Sequence, residues 1–133
     1  MTKRKLTKKR LEELQKQAFQ YEVTLTKIIP REIAHQNNTL TEEIGILMFQ
    51  RDMLEKDLRQ FGAREELAPI RQRVRELDTT LIEQRWMILD HARDYYEHER
   101  ERLKVPREYW WWYLDELEAV ELPEWVMVES ARG

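Results

Sequence analysis

Glu32 and His35 stand three residues apart, the spacing by which one turn of a carboxylate di-metal bundle offers a carboxylate and an imidazole to an ion. A complete site needs a second Glu-x-x-His pair and two more carboxylates facing the same core. The remaining histidines, His91 and His98, flank Asp94, yet neither follows a glutamate at that interval. The apolar seams of the earlier helices carry no carboxylate either. The expected reading is therefore polar histidines at a seam edge, with no metal and no cofactor. The chain has no cysteine, which removes thiolate ligands, thiol nucleophiles and disulfides. It also lacks a Gly-rich phosphate loop and a serine nucleophile elbow. The residue types predict a protein that is not an enzyme.

Recognition chemistry is better represented. The run Tyr109-Trp110-Trp111-Trp112-Tyr113-Leu114, with Trp125 further on, is interleaved with Asp115, Glu116, Glu118, Glu121 and Glu124. Indole and phenol rings give large, rigid contact area and dominate binding hot spots. Acidic residues among them suit a basic, grooved protein partner and repel phosphate. Neighbours on a helix point about 100° apart. Trp110, Trp111, Leu114 and Leu117 are thus expected on one face, with Trp112 and Tyr109 looking elsewhere. The competing expectation is that the segment folds back and completes the chain's own core.

A second signal sits at the other end. Lys3, Arg4, Lys5, Lys8, Lys9 and Arg10 put six cations into the first ten residues, at a helix start where the dipole disfavours them. Such a cluster fits phosphate contact of an electrostatic, sequence-independent kind. Arg64, Arg71, Arg73 and Arg75, around a later turn, extend the track. This supports an alternative function: a small helical subunit lying along an RNA or single-stranded DNA backbone in a ribonucleoprotein complex.

The elements that must carry these groups are helices. Charged residues make up 37% of 133 and glycine supplies only 3, a balance that favours long helices over sandwiches or barrels. Leu11, Leu14, Ala18, Tyr21, Leu25 and Ile28 recur at alternating three- and four-residue steps and predict a helix over about 7–29, ended or kinked by Pro30. Leu40, Ile44, Leu47, Leu54, Leu58 and Phe61 predict a second over 40–61, stopped by Gly62, with Arg51 in mid-seam as a register device or a snorkelling side chain. Ile46, Phe49 and Met53 fall on its opposite face. A helix that is apolar on two faces needs two neighbours or another subunit. Ile70, Val74, Leu77, Leu81, Ile88 and Tyr95 predict one long helix over 70–104, its seam turning polar at Gln84, His91 and His98.

The expected fold class is all-α: an antiparallel three-helix coiled-coil-like bundle with one long helix, over 1–105. An acidic, Trp-rich docking helix and tail follow over 106–133. Tyr109, Trp110, Trp111, Trp112, Trp125, Ile46, Phe49 and Met53 are the candidate partner-binding residues, for another protein or for self-association. No run reaches the roughly 18 apolar residues of a membrane span, and the basic start lacks a signal peptide's apolar core. With no cysteine, this points to a cytoplasmic protein. The function read from the sequence is that of a non-catalytic small subunit or adaptor within a larger protein assembly.

Overall fold

The computed structural model describes residues 5–36 and 39–116, and every regular element among them is helical. Helix α1 (Lys8–Val23) is capped by Thr7, whose hydroxyl accepts the Arg10 N–H at 3.1 Å. The helical path does not end at Pro30. It runs through a π turn (Thr24–Ile28) into α2 (Ile29–Ala34). Pro30 has no N–H, and in a regular helix its ring collides with the carbonyl four residues earlier. Widening the turn before it relieves that collision, and the Ile29 N–H returns to the Thr24 carbonyl five residues back.

Helix α3 (Leu40–Phe61) opens with Glu42 and Glu43 in its first turn, where carboxylates favour the dipole. It stops at Gly62, whose φ of 68° suits glycine. A 3₁₀ turn (Glu65–Leu67) leads to α4 (Ala68–Glu83), which has Pro69 in its first turn. The expected single rod over 70–104 is broken. At Gln84 the backbone leaves the helix, and α5 (Arg85–Leu103) carries a further kink at Ala92, with φ −144° and ψ 25°.

The break moves the buried face. In α1, the π turn after it, α3 and α4 most seam residues are core: Leu14, Tyr21, Leu25, Ile44, Leu47, Leu54, Phe61, Val74, Leu77 and Leu81 are buried. Leu11 and Ile28 are only partly buried, and Ile29 goes inside in place of Ile28. Past Gln84 the buried positions are Ile88, Leu89, Ala92 and Tyr96. Tyr95 is only partly buried, and His91 and His98 face solvent. The phase has slipped, and Tyr96 takes the place that a continuous helix gives to Tyr95.

Two pairs of helices run in opposite senses. Along α1 and α3, Arg10 lies over the Phe61 ring and Gln17 bonds Asp57, while Phe19 lies with Ile46 and Phe49. Along α3 and α4, Arg51 meets Asp78 and Arg71 reaches the Leu58 and Gly62 carbonyls. The centre of the core is polar. Arg51 donates to Asp78 from both Nε and Nη2 at 2.9 Å, and the Tyr21 hydroxyl donates to the same carboxylate at 2.9 Å. Burial alone would lower the Arg51 pKa; the charge and hydrogen bonds of Asp78 overcome it and raise it. Burial raises Asp78 against the pull of Arg51, and burial, then the charge of Asp78, raises the Tyr21 phenol well above its ordinary value. Arg51 is therefore a buried, bidentate partner and not a snorkelling side chain.

Leaving one half of a buried pair alone costs about 3–5 kcal/mol, whereas replacing all of its polar partners by apolar groups costs little. Arg51→Met should lower unfolding free energy by that amount in urea titration. Tyr21→Phe, Arg51→Met and Asp78→Leu together should recover most of it. A single Arg51→Met within about 1 kcal/mol of the parent would contradict a central role for the pair.

Candidate functional site

Two surfaces gather the residues singled out by their chemistry. The first is a groove between α1 and α3. The core stripe of α1 places Phe19 off to one flank. On α3, Ile46 and Phe49 lie on the side away from the Leu47 and Leu54 face. Phe19 is 62% exposed, Phe49 63% and Ile46 45%. With Gln20, Val23, Thr24, Ile28 and Gln50 they line a groove of about 470 Å³ that contains no charged side chain. Met53, one turn beyond Phe49, is half-buried. Phe19 was not among the residues expected here; its sequence signal is an aromatic one position outside the α1 seam.

The second surface is the aromatic strap after α5. Lys104 ends that helix in the left-handed conformation, and Pro106 follows. The expected Trp helix is instead one 3₁₀ turn (Trp110–Trp112). This changes which rings are buried. Trp111 and Trp112 are 1% and 3% exposed, while Trp110 and Tyr109 are half-buried. The expectation that Trp112 stays available is corrected: its indole N–H donates to Asp52 at 3.0 Å, beside that of Trp111 at 2.7 Å. The Arg51 guanidinium lies 4.1 Å from the Trp111 ring centre. Trp110 meets Trp111 edge to face, and Tyr109 lies against it at 4.8 Å.

The strap's backbone is held as well. The Tyr96 hydroxyl donates to the Trp111 carbonyl at 2.6 Å and accepts the Leu114 N–H at 2.8 Å. Arg100 pairs with Asp115 and donates to the Trp112 carbonyl. The described part of the aromatic run thus folds back onto the α3 and α5 that precede it. Asp52 is the residue that sequence reasoning missed, since nothing near it marks an aspartate as the acceptor for two indoles about 60 positions away.

The basic residues lie at the start of α1, in the turn after α3 and on α4, and Arg10 and Arg64 both meet Phe61. Lys5, Lys8 and Lys9 are exposed at the α1 start. Arg10 pairs with Glu13 and lies 4.0 Å from Asp57. Arg64 donates to the Phe61 carbonyl and Arg71 to those of Leu58 and Gly62, so both serve the C-terminus of α3. Arg73 bonds Glu22 and Glu76. Arg75 lines a cleft of about 280 Å³ with Arg51, Glu55, Asp78 and Trp110, where the Arg51–Asp78 pair is already satisfied internally. Lys3, Arg4, Leu117 and Trp125 lie outside the described residues.

Glu32 and His35 do not converge. Glu32 is buried and accepts the Thr39 hydroxyl at 2.7 Å, whereas His35 is exposed at the end of α2. His91 Nδ1 lies 2.8 Å from the Met87 carbonyl of its own helix. Among the described residues no group of three or more His, Asp or Glu side chains could hold a metal ion. Among them, too, no helix is long and apolar enough to cross a membrane. No protein-family model, curated protein or solved structure matches the chain.

Burial raises the Asp52 pKa above its ordinary 3.8, against the lowering effect of the two indoles and Arg51. Its proton is therefore held more tightly in the folded chain, and the contribution of Asp52 to stability falls as pH rises from 3.8 through the raised value. Asp52→Asn keeps an acceptor without the charge, and should gain on the parent across that window. Asp52→Ala strands both indole N–H groups, at about 1–3 kcal/mol each. Its tryptophan emission should shift to the red and become more quenchable by acrylamide. Unchanged emission would mean that Asp52 does not hold the strap.

Proposed function

We propose that the chain is a non-catalytic helical subunit or adaptor, which assembles with protein through the Phe19–Ile46–Phe49 groove. The observation that carries this is two phenylalanines more than 60% exposed, at 62% and 63%, in a groove without a charged side chain. The sequence as a whole is 37% charged, so an uncharged aromatic surface is a departure from its own composition. Depletion of charge with exposed aromatics is the mark of an interface centre. Fully burying a Phe or Ile side chain gains about 1.5–3 kcal/mol. The body carrying the groove is read as an antiparallel, coiled-coil-like arrangement of α1, α3 and α4, and the cysteine-free sequence supports a cytoplasmic address.

The strap supports this reading indirectly. With Trp111 and Trp112 buried against α3 and α5, those two rings are not open to a partner, whereas Phe19 and Phe49 in the groove are. Trp110 and Tyr109 keep part of their surface in solvent and can add to contacts made there. A second reading, contact with RNA or single-stranded DNA, rests on Lys5, Lys8 and Lys9, which are exposed and make no ion pair among the described residues.

Phe19→Ser and Phe49→Ser together should leave stability within about 0.5 kcal/mol, as exposed substitutions do. The same pair should abolish nuclease-resistant recovery of protein partners, or of a second tagged copy, from the native host. Recovery unaffected by the pair would refute docking through the groove. Recovery that collapses with nuclease, and with neutralisation of Lys5, Lys8 and Lys9, would favour the nucleic-acid reading, since such binding is electrostatic.

A further inference from the structure

The outward stripe of α3 has a symmetry of its own. Glu42, Ile46, Phe49, Met53 and Lys56 follow one another at steps of four, three, four and three residues. At about 100° per residue they lie within about 40° of a single line, opposite the Ile44, Leu47, Arg51, Leu54 and Leu58 face that is buried. Phe49 is the midpoint, and Glu42 and Lys56 lie seven residues to either side of it. Both end residues are exposed, and neither is in an ion pair among the described residues.

We infer that this stripe is a two-fold interface, with the α3 of a second copy packed antiparallel on it and the axis at Phe49. The inference rests on the proposed docking role of this face and names its occupant. In that arrangement Phe49 meets Phe49 of the second copy, Ile46 meets Met53, and Glu42 meets Lys56. The Phe49 contact sits on the axis and occurs once, and the other two occur twice, as an isologous interface requires. Charge complementarity selects the arrangement. A parallel pair sets Glu42 against Glu42 and Lys56 against Lys56, which is repulsive at both ends. Antiparallel packing makes both ends attractive and also opposes the two helix dipoles. The stripe spans about 21 Å at 1.5 Å per residue. Phe19 of each copy flanks the pair and widens the apolar centre. The stripe offers one anchor ring, two aliphatic contacts and two charge pairs, so a dimer in the micromolar range is expected.

The experiment is light scattering and sedimentation of the purified full chain between about 1 and 200 μM, the range that brackets such affinities, with circular dichroism on every variant. The parent should pass from monomer to dimer. Phe49→Glu should weaken the dimer more than about a hundredfold, as loss of a central anchor does. Glu42→Lys alone and Lys56→Glu alone should each weaken it about tenfold, since two attractive contacts become repulsive. A one-to-one mixture of those two variants should restore dimer, because every end contact is then again between opposite charges.

Orientation is read separately. The sequence has no cysteine, so Phe49→Cys should give an oxidised dimer on a clean background, while Glu42→Cys should not link to itself. Self-linking of Glu42→Cys would show a parallel pair and overturn the inference. A parent that stays monomeric to 200 μM while still capturing a host protein through Phe19 and Phe49 would also overturn it, leaving the docking role of the groove intact. Loss of both behaviours would remove both readings.

Discussion

Arg51 and Asp78 hold together parts of the chain that sequence separates widely. Two parallel hydrogen bonds join α3 to α4, the Tyr21 hydroxyl brings α1 onto the same carboxylate, and the indole of Trp111 lies over the guanidinium. Such a pair contributes less to net stability than an apolar core of equal volume would. Its effect is on register. An apolar seam tolerates sliding by a turn, but a buried charge is satisfied only opposite its partner. Sliding α3 one turn along α4 would bury both charges alone. The pair therefore selects one alignment among several of similar hydrophobic content.

Asp52, the next residue, extends that selection to the strap. The same turn of α3 offers a cation to the face of Trp111 and a carboxylate to the edges of Trp111 and Trp112. Two indole donors then share one acceptor group, and Tyr96 ties the backbone behind them. This depends on the break at Gln84 and the kink at Ala92. Together they turn Tyr96 inward, whereas a continuous helix would bury Tyr95. Tyr95 instead passes over Gly45 of α3, where its hydroxyl lies so close that a side chain at that glycine would collide with it.

With Trp111 and Trp112 buried, Phe19, Ile46 and Phe49 stand exposed together on the flank of α1 and the outward face of α3, while Trp86 and Leu103, each 49% exposed, lie on α5. Phe19, Ile46 and Phe49 add nothing to the core described above, and natural surfaces seldom keep aromatic rings together in water without a partner. Because Trp111 and Trp112 are satisfied inside, the groove is the stronger interface candidate.

The sequence by itself determined the helical class, the span of α3, the starts of α1 and α4, and most core residues in them. These follow from local quantities: three- and four-residue spacing, Gly62 as a stop, Pro69 as a start, and Glu42 and Glu43 in a first turn. The second apolar face of α3, with Ile46 and Phe49 exposed, was legible for the same reason. At Pro30, expected to end or kink the helix, a π turn absorbs the proline and the helical path goes on. Only the tertiary structure decided that the long seam slips phase after Gln84, that Arg51 is buried against Asp78, and that the tryptophan run forms a 3₁₀ turn anchored on Asp52. Each is a contact between residues 27 to 60 positions apart, or a backbone break that such contacts stabilise. Periodicity records which face of a helix is apolar. It carries no record of which distant side chain will satisfy a buried charge or an indole N–H.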